Sequence, residues 1–121
     1  MTAERIDEYG RSWQQRFANE RKDARERARA ARRALRQAVE ILRRHGATRI
    51  LLFGSLCSDE LALSSDIDLA VEGLPAAAFT RALADLMMAL EFSVDLKPLE
   101  LVEGRLRDRI SSAGEVLYEA P

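Results

Sequence analysis

The sequence predicts an α/β domain, and three observations carry that prediction. Residues 12–45 contain no glycine or proline and are dominated by Ala, Arg, Glu and Leu, the composition of a long helix. Short apolar runs at Arg49–Phe53 and at residues 66–72, 92–96 and 116–118 have the length of strands and stop at turn residues. Segments of helical spacing separate these runs. The resulting order is helix, strand, helix, strand, helix, strand, helix, strand, which argues for a small mixed β-sheet flanked by helices and preceded by a long N-terminal helix.

Residues 1–10 carry little signal, and Gly10 is expected to mark a break. Ser12 is a plausible N-cap and Gly46 sits where a C-cap belongs. A helix of about 34 residues would span roughly 50 Å. Its apolar positions, Phe17, Ala24, Ala28, Ala31, Leu35, Ala38 and Leu42, alternate steps of four and three, with Arg21 in the one missing place. The leucine half of this seam is expected to pack on the sheet. The alanine half buries too little to hold a helix alone, so a second helix is expected against it, from a second copy or from another protein. A solvated helix kept soluble by its arginines is the plainer reading. Trp13 and Phe17, one turn apart, suit either a partner anchor or local packing.

After the strand Arg49–Phe53, Gly54-Ser55 makes a turn, and a short helix is expected over residues 56–61. Ser64-Ser65 leads into the strand 66–72. Gly73-Leu74-Pro75 turns the chain into a helix over residues 76–90 with Phe79, Leu83, Leu86 and Leu90 on one side. The strand 92–96 follows, ended by Pro98; a last helix over residues 101–111 closes at Gly114; and 116–118 is a terminal strand.

With 121 residues the chain reads as one fold, divided into a helical extension, residues 1–33, and a body, residues 34–121. No apolar run of membrane-spanning length and no signal-like N-terminus occurs, and the single Cys57 forms no internal disulfide, so a cytoplasmic setting without a membrane is expected. The formal net charge of -1 hides an asymmetry: residues 1–49 carry 14 Lys/Arg against 7 Asp/Glu, and residues 50–121 carry 5 against 13. Such a split suits a basic surface laid against an acidic one or against an anionic partner. Nucleic acid is the weaker candidate, because the arginines alternate with Glu20, Asp23 and Glu26 and few aromatics are present for stacking.

The chemistry concentrates between Ile50 and Val71. Asp66 and Asp68, two apart on a strand, point to one face about 7 Å apart along the backbone. Acids so close repel unless a cation lies between them, and a hard divalent ion wants such oxygen ligands. Asp95 is an acid in a strand of buried character, which costs energy unless something binds it; a salt bridge to Lys97 is its structural explanation. Lys97 shares a strand face with Asp95 and suits either phosphate or that acid. Gly54 and Ser55 offer a turn with free N–H groups for phosphate. His45 reads as a helix-end cation, Cys57 as incidental and Tyr118 as packing.

Gly54, Ser55, about ten intervening residues, then Asp66 and Asp68 resemble the signature of the minimal nucleotidyltransferases of the DNA polymerase beta superfamily, over roughly residues 35–119. The resemblance implies a nucleotidyltransferase fold and activity, with Asp66, Asp68 and Asp95 as catalytic and metal-holding residues and Gly54, Ser55, Ser65 and Lys97 as nucleotide contacts. It implies a pair of Mg²⁺ ions and ATP as substrate, with AMP passed to a hydroxyl. Short members of this family are often paired with a HEPN toxin and act as its antitoxin by adenylylating a tyrosine, so a HEPN-type partner is implied, with a homo-oligomer through the helix of residues 12–45 as a further possibility. One departure stands out. Many relatives follow Gly-Ser with an arginine-bearing stretch, whereas this chain has Leu56-Cys57-Ser58-Asp59. The alternative is therefore a catalytically weak or inactive binding module that neutralises its partner by contact alone; a small-molecule acceptor is a third reading.

Overall fold

The computed structural model describes residues 3–121, and the side chains of residues 10–121. The first helix, α1 (Ala3–Arg44), begins well before Ser12 and passes straight through Gly10. A lone glycine costs a helix interior about 1 kcal/mol relative to alanine, too little to stop one that continues on both sides. Neither the break at Gly10 nor the cap at Ser12 is therefore realised. The other end behaves as expected: Gly46 takes φ 106°, and the Ala47 N–H donates to the Leu42 carbonyl at 3.0 Å.

Strand β1 (Arg49–Phe53) lies between β2 (Ile67–Glu72) and β4 (Glu115–Glu119), antiparallel to both. Beyond β2 runs β3 (Val94–Pro98), parallel to it, so the sheet is mixed, in the order β3-β2-β1-β4. The parallel pair is joined by a crossover through α2 (Ala76–Ala89). A 3-10 turn over Leu99–Leu101 leads to α3 (Gly104–Ala113), which returns the chain to β4. Several boundaries shift by one to three residues, among them β3, which starts at Val94, and β4, which gains a residue at each end. Pro98 is the last residue of β3 rather than its terminator, which an edge strand tolerates because the missing N–H needs no partner. The last helix starts three residues later than expected, since Val102 and Glu103 are extended.

The helix expected over residues 56–61 is a 3-10 turn, Ser55–Ser58, stopped by Asp59 in the left-handed conformation at φ 58°. The chain then leaves for α1: the Leu61 N–H donates to the Ala24 carbonyl at 3.0 Å, and Arg27 Nε donates to the Leu61 carbonyl at 2.8 Å. This detour answers the question of the alanine seam. Ala28, Ala31, Leu35, Ala38 and Leu42 are all buried in one cluster with Leu56 and Leu61. The alanines let the loop approach closely, so the partner expected for this half is the protein's own loop rather than a second helix. Ala28 and Ala31 are thus covered within the chain, whereas Ala24 is half-buried and Phe17, of the same seam, is more than half exposed, as is Trp13.

Strands β1 and β2 alternate from residue to residue, whereas β4, whose register with β1 shifts between Ile50 and Leu51, turns both Leu117 and Tyr118 to the larger cluster. Ile50, Leu52, Ile67, Leu69, Val71 and Leu96 face the cluster that α1 and α2 cover, while Leu51 and Ala70 face a smaller cluster with Leu99, Val102 and Ile110 under α3. No helix among the described residues is long and apolar enough to cross a membrane.

Candidate functional site

On the α3 side of the sheet the apolar residues give way to charge. Asp68 and Asp95 are register partners on the parallel strands β2 and β3, so their side chains stand next to each other on one face, on strands about 4.8 Å apart. Phe53, the last residue of β1, is the register partner of Asp68 on its other side. The chain then turns at Gly54, which takes φ 79° and passes directly beneath the Asp68 carboxylate. A Cβ on Gly54 would overlap that carboxylate, so only glycine allows the acid and the turn to share this space.

The carboxyl of Asp68 is held above its ordinary pKa, first by burial and then by repulsion from Asp95 and Asp66, with Lys97 pulling the other way. Lys97 Nζ lies 3.3 Å from Asp95 Oδ2 and 3.5 Å from Oδ1. It therefore neutralises Asp95, the plainer of its two expected roles, in a half-open setting where the pair remains available to exchange partners. Asp66 precedes β2 rather than opening it and is exposed. Ser55 starts the 3-10 turn and is exposed as well, and the Ser65 N–H is taken by the Ala62 carbonyl at 3.0 Å. The structure thus brings Gly54, Asp68, Asp95 and Lys97 together and leaves Asp66, Ser55 and Ser65 at the rim.

Do these residues fit a divalent cation? Among the described residues no three of His, Cys, Asp and Glu are gathered closely enough to form a metal-holding group. The Asp68–Asp95 pair is nevertheless an all-oxygen donor set whose repulsion a cation would relieve, and Mg²⁺ takes only one or two carboxylates when phosphate and water complete its shell. The pair fits such an ion; Asp66 is close enough to raise the Asp68 pKa without being gathered as a third ligand.

A cavity of about 590 Å³ opens beside the turn, walled by Gly54, Ser58 and Asp68 on one side and by Leu106, Arg109 and Ala113 of α3 on the other. Arg109 was not among the residues read as functional from the sequence. Three arginines, at 105, 107 and 109, occur on this helix, and nothing in the sequence says which faces the turn. Arg107 is committed elsewhere, donating to the Leu99 carbonyl at 2.6 Å and to the Val102 carbonyl at 3.3 Å. Arg32 was also missed. It reaches from α1 to Asp59 at 2.6 Å, to Glu115 at 3.0 Å and to the Leu56 carbonyl at 3.4 Å, fastening the loop after Gly54 to α1 and β4. His45 Nε2 meets Asp85 of α2 at 2.6 Å, a structural link between helices. Cys57 donates to the Leu52 carbonyl at 3.2 Å, and burial raises its pKa, so it stays a thiol.

A Gly-Ser turn between two antiparallel strands, with Asp68 and Asp95 paired across the parallel strands β2 and β3, defines a protein of the nucleotidyltransferase fold. Residues 36–121 match the family described as Polymerase beta, Nucleotidyltransferase, and the chain belongs to that family. Three solved structures illustrate the likeness. A minimal nucleotidyltransferase is 25% identical, with a TM-score of 0.65, over 73% of this chain and 93% of that one. A toxin-antitoxin structure with AMP-PNP is 29% identical, with a TM-score of 0.59, over 68% and 70%. A complex of tri-AMPylated Shewanella oneidensis HEPN toxin with MNT antitoxin is 28% identical, with a TM-score of 0.55, over 70% and 69%. No curated protein matches the chain.

Proposed function

We propose that this protein transfers AMP from ATP, with Mg²⁺, to a hydroxyl of a HEPN-type toxin, and so acts as the toxin's antitoxin. The observation that carries the reading is the Asp68–Asp95 pair seated against Gly54. Its support from relatives is that one similar structure contains AMP-PNP and another a tri-AMPylated HEPN toxin with an MNT antitoxin. Bound Mg²⁺ would supply charge stabilisation for the entering and leaving oxygens of an in-line displacement. The residues that would hold it are Asp68 and Asp95, with Asp66 at the rim. In the transfer the acceptor hydroxyl oxygen forms a bond to the α-phosphorus, the bond from that phosphorus to the pyrophosphate oxygen breaks, and pyrophosphate leaves. The hydroxyl proton passes to Asp95, whose carboxylate lies 3.3 Å from Lys97 Nζ in the resting site. Gly54 and Ser55 hold the phosphates against the turn, Ser65 and Lys97 contact the nucleotide from the acid side, and residues 1–33 form the extension that docks the partner.

A second reading has its own observation. The loop after Ser55 lacks an arginine, and Asp59, which stands in that stretch, is ion-paired to Arg32. A loop so built favours a module that silences its partner by contact alone. The two readings part in one experiment: intact mass of a supplied HEPN toxin after incubation with this protein, ATP and Mg²⁺. Transfer predicts a gain of one or more AMP units that falls at least a thousandfold in rate in Asp68→Asn. Neutralisation without any mass gain, unchanged in Asp68→Asn, would overturn the enzyme in favour of the contact module.

A further inference from the structure

The triphosphate proposed for this site brings several negative charges to a place where Asp68 and Asp95 already stand side by side, with Asp66 at the rim. Of the cations around the loop after Ser55, Arg25 and Arg29 of α1 line a separate cavity with Ser58, Asp59 and Glu60, away from Asp68, and three others are already engaged. Arg32 is bound to Asp59 and Glu115, Lys97 to Asp95, and Arg107 to backbone carbonyls. Arg109 is different. It is the one cationic side chain among the residues lining the cavity beside Gly54 and Asp68, it is exposed, and among the described residues it forms no ion pair or hydrogen bond. Its mount is fixed, because the next residue, Ile110, is 1% exposed beneath α3 and Arg107 ties the same helix to the preceding turn.

We infer that Arg109 grips the phosphate tail of the nucleotide from the α3 side, supplying the positive charge that the loop after Ser55 lacks. The inference rests on the nucleotide reading given above and names a residue that reading did not contain. An arginine suits the task, since its planar fork matches two phosphate oxygens at once and stays charged at every relevant pH. The arrangement also explains how the loop tolerates Asp59 and Glu60: the cation comes from across the cavity, and Arg32 neutralises Asp59 on the loop's far side.

The test is direct binding of AMP-PNP with Mg²⁺, and of adenosine, to the whole protein and to its Arg109→Gln and Arg109→Lys variants. Loss of a charge-assisted phosphate contact should raise the AMP-PNP dissociation constant of Arg109→Gln by about tenfold to a hundredfold. Arg109→Lys should fall between, adenosine binding should not move, and the thermal midpoint without ligand should match the parent. Equal AMP-PNP affinity in parent and Arg109→Gln overturns the inference while leaving the nucleotide site intact. Equal weakening for AMP-PNP and adenosine also overturns it, as a general disturbance of the pocket. A parent that binds no AMP-PNP removes the nucleotide reading itself. Should Arg109→Gln not fold, Arg109→Lys decides alone by the same ratio of AMP-PNP to adenosine affinity.

Discussion

The two faces of the sheet are written in the same strands and do opposite work. On one face Ile50, Leu52, Ile67 and Leu69 are each 0% exposed beneath α1 and α2. On the other, α3 covers only Leu51, Ala70 and their neighbours, and Asp68, Asp95 and Lys97 are left half-open. Residue 69 is buried hydrocarbon and residue 68 a strained acid, adjacent in sequence. Because side chains in a strand alternate, stability and chemistry can be assigned to alternate residues without sharing any. The acids can therefore be held too close together, at a cost, because the opposite face supplies the stability.

The largest expected effect lies on the apolar face. Leu69→Ala removes a fully buried side chain and should destabilise the fold by about 2–5 kcal/mol, read by chemical denaturation. Under conditions where the variant is still folded, its affinity for AMP-PNP should change less than threefold. A binding loss as large as the stability loss would break the separation between the faces.

The charged face should respond with the opposite sign. Burial and two neighbouring carboxylates raise the Asp68 pKa in the folded protein. A folded-state pKa above the unfolded one means that stability is fully present below the unfolded value and is lost as pH rises through the folded value. Asp68→Asn abolishes that loss. Its thermal midpoint should therefore exceed the parent's at neutral pH by about a few degrees, and the difference should vanish as pH falls below the ordinary carboxylate range. Mg²⁺ should raise the parent's midpoint and not the variant's. A midpoint lowered at neutral pH would mean that Asp68 is a structural residue and that the strain argued here is absent.

What the sequence made legible follows this division. Periodicity of two and of about four exposes strands and helix faces, so β1 is read to the residue and the packed side of α2 is anticipated through Phe79, Leu83 and Leu86. Asp95 is named as a third acid through the family resemblance, whereas the register that sets it directly beside Asp68 is fixed by the pairing of β2 with β3 and is not written in either strand alone. Long-range contacts leave no such periodic mark. That Leu61 folds back on Ala24, covering Ala28 and Ala31, depends on a left-handed Asp59 that no propensity announces. That Arg109 rather than Arg105 faces Gly54 depends on the rotation of α3, set by Ile110 and Leu106 in the core. The detour of the loop and the choice among arginines are decided by packing between distant segments.

The smallest effect tests how the two faces are joined at the rim. Arg32 links α1, the loop after Gly54 and β4, but its partners are largely in water: the side chains of Arg32, Asp59 and Glu115 are 31%, 71% and 44% exposed. Exposed ion pairs contribute about 0–1 kcal/mol, so Arg32→Ala should lower global stability by no more than about 1 kcal/mol. Locally the consequence is larger in kind. The Asp59 N–H bonds to the Leu56 carbonyl and the Cys57 N–H to the Gly54 carbonyl, and both lie in the turn that Arg32 pins from outside. Amide hydrogen exchange at Cys57 and Asp59 should quicken in Arg32→Ala while exchange in β1 and β2 stays at the parent's rate, because local opening draws on the weakest contacts first. Faster exchange throughout the sheet would instead make Arg32 part of the core's own stability, and the rim could no longer be treated as a mobile edge laid over a rigid apolar face.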